Sequence, residues 1–229
     1  MERKRSTVFS QSVRKYAVTS VVVFTALAVG FIAGCTNKTP VSSAETKNAA
    51  KQTAVMPDGL KGVHTVAAAG SVDVAFSPKG GVTNMIVGEL GKAQKSVQVQ
   101  AYSFTSKEII DALIAAKKRG VDVRIIIDKS NIDNDDKETA REKKEKELLN
   151  SIADSGILMK VDSDFQIAHS KIMIIDGMDV ITGSFNFTYS AENSNAENCL
   201  ILRGNKALAE QYVKNWQWRW DATKAYAKQ

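Results

Sequence analysis

Histidine and cysteine are scarce here, two of each among 229 residues, and proline occurs three times. Each scarcity excludes something. Cys35 and Cys199 cannot build a disulfide framework, which needs several cysteines at regular spacings. Cys35 borders a polar segment, whereas Cys199 lies inside a strand-like run, where a buried, inert thiol is the plain reading. No group of His, Cys, Asp and Glu stands at metal-ligand spacing, so neither a metal nor another cofactor is expected. The acidic stretch 128–136 lacks the central glycine and alternating ligands of a calcium loop. Charge of one sign is also scarce. The formal charge is +6, but Arg3, Lys4, Arg5, Arg14 and Lys15 stand against Glu2 within the first 34 residues. Beyond them 26 basic residues face 24 acidic ones. Bulk charge therefore gives no sign of a polyanionic partner, and any attraction must come from a local patch.

The chain opens on a polar, basic segment followed by an uncharged run, AVTSVVVFTALAVGFIAG, at residues 17–34. A basic start and an apolar centre make the pattern of a secretory signal. The run is also just long enough to cross a bilayer as an anchor helix. Ile32-Ala33-Gly34-Cys35 resembles the lipobox of bacterial lipoproteins, which implies cleavage before Cys35 and lipidation of its thiol. Either way residues 1–34 are a targeting or anchoring segment. The remainder is expected outside the cytoplasm, in the periplasm or at the cell surface, tethered to a membrane. Residues 35–70 are rich in Thr, Ser, Ala, Asn and Lys without apolar periodicity, as in a flexible tether. His64, inside it, is read as solvated.

From residue 71 the pattern is that of a folded domain running to 229. Strands are expected over 72–76, 97–104, 121–128, 157–161 and 196–202. Helices are expected over 82–94, over 137–153 and from 205 nearly to the end. Another follows Thr105-Ser106-Lys107-Glu108, which reads as a capping box. Ile125-Ile126-Ile127 suggests a strand buried on both faces. Leu208, Tyr212, Trp216 and Trp220 recur at helical spacing and read as core, leaving Trp218 off the stripe. Strands alternating with helices imply an α/β fold with a mixed, largely parallel sheet.

The most informative stretch is His169–Asn186, HSKIMIIDGMDVITGSFN. On a strand's two-residue period His169, Lys171, Met173 and Ile175 share a face, with Ser170, Ile172, Ile174 and Asp176 opposite. Imidazole is a nucleophile or general acid/base near neutral pH. A phosphodiester repels nucleophiles unless cations and neutral donors surround its oxygens. Lys171 supplies the cation, and Ser184 and Asn186, two apart after Gly183, supply uncharged donors. Asp176 falls on the opposite face, where a role in the turn before Gly177 is expected instead.

The series His169-x-Lys171, four residues, Asp176, six residues, Gly183-Ser184, then Asn186 resembles the motif of the phospholipase D superfamily in full. One motif in a short chain resembles its small bacterial endonuclease branch, and the resemblance covers roughly residues 70–229. It implies an α/β/α sandwich and metal-independent chemistry through a phosphohistidine. It also implies a glutamate after the motif that orients the histidine, placed at Glu197, with Glu192 close by. That reaction uses two histidines, one attacking phosphorus and one protonating the leaving oxygen. Since only His169 stands in a motif here, a homodimer sharing one site is expected. The expected substrate is DNA or RNA, with Lys92, Lys95, Lys117, Lys118 and Arg119 as candidate phosphate contacts. A phospholipase D or phosphatidyl transferase acting on membrane lipid is the alternative. An inactive tethered binding module is the third reading.

Overall fold

A computed structural model describes residues 55–132 and 139–228, the side chain of Arg141 excepted. The apolar segment 17–34, Cys35 with its expected lipidation and the first part of the expected tether lie outside the described residues. Eight strands form one sheet: β1 (Ser71–Phe76), β2 (Ser96–Ala101), β3 (Asp122–Asp128), β4 (Leu158–Asp162), β5 (Ile172–Ile175), β6 (Asp179–Gly183), β7 (Asn198–Arg203) and β8 (Lys224–Ala225). Their order is β1-β7-β6-β5-β2-β3-β4-β8. The helices are α1 (Val82–Lys92), α2 (Lys107–Lys118), α3 (Ala140–Asp154), α4 (Tyr189–Asn193) and α5 (Lys206–Ala222).

The fold is α/β with a mixed sheet, but the expected balance of strand directions is corrected. Only β2–β3 and β3–β4 are parallel. All other neighbours run antiparallel. The reason is connection length. Parallel neighbours need a crossover of a dozen or more residues, which α2 and α3 provide. Three residues, 176–178, join β5 to β6, and so short a link can make only a hairpin.

The two faces of the sheet bury separate cores. On one, Ile86 and Leu90 of α1, Ile109 and Leu113 of α2 and Ile152 of α3 cover Val97, Val99, Ile125, Ile127, Met173 and Ile175. On the other, Trp216 and Trp220 of α5 cover Ile126, Ile172, Ile174 and Val180. The strict alternation of β5 between these cores is why its four residues are all apolar. Trp216 and Trp220 stack at 4.9 Å, and the Trp216 indole N–H donates to the Val99 carbonyl at 2.9 Å. Trp218, off the stripe, is half-buried and meets Phe165 edge-on.

Three local expectations differ from what is observed. The cap of α2 is Ser106 rather than Thr105, its hydroxyl accepting from Ile109 N. The complete capping box instead opens α3, between Thr139 and Glu142. The polar stretch after Asn186 contains the short helix α4. Residues 55–70 are largely irregular, with a single 3-10 turn at Asp58–Leu60. They are nevertheless pinned to the domain, since Asn205 Nδ2, at the start of α5, donates to the Ala67 carbonyl.

Candidate active site

One end of the sheet gathers most of the chemistry-bearing residues. There β2 delivers Tyr102, β3 ends on Asp128, the approach to β5 carries His169 and Lys171, and β6 leads to Ser184 and Asn186. Glu197 stands just before β7 rather than on it.

The GSFNF sequence explains how β6 continues into the site. Phe185 and Phe187 are buried in the core, so Ser184 and Asn186, which alternate with them, must face the other way. Gly183 cannot be larger, because a Cβ there would lie 2.3 Å from the Asn198 carbonyl oxygen. That close approach lets Asn198 hold the turn: its carbonyl accepts from Ser184 N and Phe185 N. Its own N–H and Nδ2 donate to the Ser184 hydroxyl at 3.1 and 3.2 Å. Phe187 in turn accepts from Thr105 N and Ser106 N, tying this segment to the end of β2. Asn186 Oδ1 is buried without a hydrogen-bond partner. A buried acceptor left open at a site is a place for a ligand donor.

His169 is exposed, whereas Lys171 is buried. The Lys171 ammonium donates to the His169 carbonyl at 2.6 Å and lies 4.8 Å from the centre of the Tyr102 ring. The His169 imidazole packs on the same ring at 4.6 Å. Tyr102 thus spaces the two groups. Burial lowers the Lys171 pKa, and the nearby carboxylates of Glu197 and Asp128 oppose that fall. Asp128 is 2% exposed, and its carboxylate accepts from Ala168 N at 2.7 Å and from Ser130 N at 2.9 Å. It therefore fixes the backbone one residue before His169. Asn131 bridges the ends of β2 and β3 through Phe104 N and the carbonyls of Tyr102 and Asp128.

The two candidate glutamates separate cleanly. Glu192 accepts from Gly81 N and Thr83 N at the start of α1. Glu197 accepts from Asn195 Nδ2 at 3.2 Å, and its charge reaches Lys171. Among the described residues no hydrogen bond joins Glu197 to His169.

Asp176 belongs to the other end of the sheet. The four residues of β5 lie between it and Lys171, five steps or roughly 16 Å at ~3.3 Å per residue. With φ +54° it turns its carboxylate onto the start of β2, accepting from Gln94 N, Lys95 N and Ser96 N at 3.0, 2.7 and 2.9 Å. Desolvation pushes its pKa up. The three N–H donors and the Lys95 charge outweigh this and hold it below the usual carboxylate value. Lys95, and the C-terminus of α2 with Lys117, Lys118 and its cap Arg119, lie at this same distant end. Lys92 is paired with Glu89, and Arg119 donates to the carbonyls of Leu90 and Ala93. The expectation that these cations line the site is thereby corrected: helix C-termini that collect basic residues precede β2 and β3, whereas the site follows them.

His64 does not supply a second imidazole. It lines a small recess with Ser170, Ile172 and Tyr212, on the α5 side of β5. His169 faces Tyr102, one residue out of phase.

Residues 86–220, more than half of the chain, match the family model described as the PLD-like domain of cardiolipin synthase. The chain belongs to the phospholipase D superfamily. Its motif is that of a phosphodiester hydrolase. A phospholipase D of Rickettsia prowazekii is 41% identical over 146 residues, covering 64% of this chain and 66% of that one. The crystal structure of Nuc from Salmonella typhimurium, a phospholipase D family member, matches with 41% identity and a TM-score of 0.63. The match covers 68% of this chain and 97% of Nuc. NucT from Helicobacter pylori shares the fold at 19% identity and a TM-score of 0.55. The superfamily motif falls on the site end of the sheet for His169, Lys171, Ser184 and Asn186, and on its far end for Asp176. Sequence reasoning did not single out Tyr102, Asp128, Asn131 or Asn198. Of these only Asp128 left a signal, an acidic residue closing an otherwise apolar buried strand.

Proposed function

We propose that this chain is a metal-independent endonuclease with little sequence preference, acting as a homodimer and held at a membrane outside the cytoplasm. The observation that carries the nuclease reading is the surface onto which the site opens. Beside Asn186 runs a cleft lined mainly by hydroxyl and amide side chains together with Glu145, with no aliphatic side chain among its described lining residues to receive an acyl tail.

His169 is the nucleophile: a ring nitrogen bonds to phosphorus as the P–O bond to the leaving nucleotide breaks. Lys171 offsets charge on the phosphoryl oxygens, and Asn186 and Ser184 place uncharged polar groups against them. The leaving oxygen needs a proton. With His64 placed elsewhere, His169 of the partner subunit donates it, then accepts a proton from the water that hydrolyses the phosphohistidine. Glu197 supports the charge balance around Lys171 and His169. Export and tethering follow from residues 1–35 as read above.

The second reading is a phospholipase D acting on membrane lipid. It is supported by the name of the Rickettsia relative and by Ile167, half-exposed two residues before His169. The test is to incubate the full chain with DNA and RNA oligonucleotides, and separately with phosphatidylcholine vesicles, all in EDTA. The expected result is oligonucleotide cleavage that persists in EDTA and disappears in His169→Asn. Sedimentation should report a dimer. Choline release without oligonucleotide cleavage would overturn the nuclease reading. Full activity in a strictly monomeric protein would overturn the shared site.

A further inference from the structure

The cleft beside Asn186 measures about 630 Å³, within the range of sites that hold a small molecule. Its composition is unusual for a surface expected to meet phosphate. Among its described lining residues there is no cation, and the charged one, Glu145, is already engaged in an interaction of its own. No described side chain there offers a cation to a run of phosphates, and an acyl chain would desolvate hydroxyls and amides such as Ser103, Thr105, Asn131 and Ser190 without return. A nucleoside satisfies both constraints. It is uncharged, its edges carry donors and acceptors, and its base has an aromatic face. Tyr189 supplies the matching face. It sits on the rim of this cleft, three residues after Asn186, and is 67% exposed. A large aromatic ring left so exposed at the mouth of a polar cleft lacks a packing role. Asn186, both a motif residue and part of this lining, joins the cleft to the phosphate site.

We propose that this cleft is a nucleoside subsite flanking the scissile phosphate, in which one unpaired base stacks on Tyr189. The inference rests on the nuclease reading above and adds to it. Paired bases keep their faces inside the duplex, so a subsite of this kind selects single strands. Base–aromatic stacking tolerates any base, because every base has a π-face. The low sequence preference is then a consequence of how the strand is held.

The test uses the full chain and single-stranded oligonucleotides of one sequence, either intact or carrying a single abasic residue stepped along the strand. Wild type should cleave the intact strand faster than the strand whose abasic residue falls in the subsite, by about 5–150-fold in kcat/KM, the range expected for losing one base–aromatic stack. Tyr189→Ala should lose that preference, together with the preference for single strands over duplex. Tyr189→Phe, which keeps the ring, should retain both. Since Tyr189 is exposed, the variants should melt with the wild type. A wild type that cleaves intact and abasic strands equally would overturn the subsite. So would a Tyr189→Ala protein that keeps the preference. A wild type that cleaves no oligonucleotide would overturn the nuclease reading itself, and the subsite with it.

Discussion

Asp176 offers the sharpest test, because its place in the motif and its place in the structure point to different roles. Its carboxylate accepts three backbone N–H bonds from residues 94–96 and stands at the far end of β5 from His169. Consider Asp176→Asn. The amide keeps the size of the side chain and tolerates the left-handed backbone, so neither packing nor φ changes. What is lost is the charge and, because Nδ2 replaces one oxygen, the acceptor for Gln94 N. Hydrogen bonds to a charged group contribute ~1.5–3 kcal/mol and neutral ones ~0.5–1.5, about 1 kcal/mol less for each of the bonds. Gln94 and Lys95 are exposed, so water replaces part of that loss, leaving about 1–2 kcal/mol. For a domain of this size the melting temperature should fall by ~2–8 °C. The sign with pH follows from the depressed pKa. The carboxylate stabilises the fold above its ordinary value of ~3.9 and loses this as pH falls through the lower folded value. Wild type should therefore exceed Asp176→Asn by a constant margin from neutral pH down to about 5, and the margin should close below about 4. The assay pairs thermal melts across that range with phosphodiesterase rates at 25 °C, where kcat should stay within ~3-fold of wild type. A kcat reduced ~1000-fold with an unchanged melt would refute the argument and return Asp176 to the substrate.

Other perturbations probe the remaining links. Lys171→Met keeps the volume beside Tyr102 but removes the cation; kcat should drop ~100–1000-fold, as for other lost transition-state contacts, with the fold retained by circular dichroism. Gly183→Ala forces a Cβ onto the Asn198 carbonyl, and overpacking of this kind costs ~1–3 kcal/mol; melting temperature and kcat should fall together, because the same contact holds Ser184. Arg219 is 2% exposed and Asp162 fully buried, joined at 2.8 Å. Arg219→Met strands that carboxylate and should cost about 3–5 kcal/mol, whereas adding Asp162→Leu should recover much of it, both measured by denaturant unfolding.

How much of this was legible beforehand depends on the range of the interaction. Strand and helix placement could be read directly, because period 2 in β5 and period 3.6 in α5 are local consequences of burying one side. The hairpin between β5 and β6 was equally present in its three-residue link, but strand–helix alternation elsewhere suggested too many parallel neighbours. The cations after α1 and α2 were legible as helix C-termini, yet which end of the sheet they occupy depends on strand direction. Tyr102 gave no pattern and Asp128 only an acidic strand end, since their work is done across chain separations of about forty to seventy residues.

The order His, Lys, Asp, Gly, Ser, Asn is a property of the sequence alone. It determined the superfamily and the chemistry of the groups. Spacing along a strand also determined that Ser184 and Asn186 turn away from the core that holds Phe185 and Phe187. Tertiary structure decided which of those groups meet. It sent Asp176 to the opposite end of the sheet, gave Glu192 to a helix start, placed His64 behind the strand and raised the Cys199 thiol to about 12 by burial. It also set a polar cleft beside Asn186. The physical reason is the same each time: side-chain chemistry is carried by each residue, while distance, burial and facing partners are set by strand order and direction.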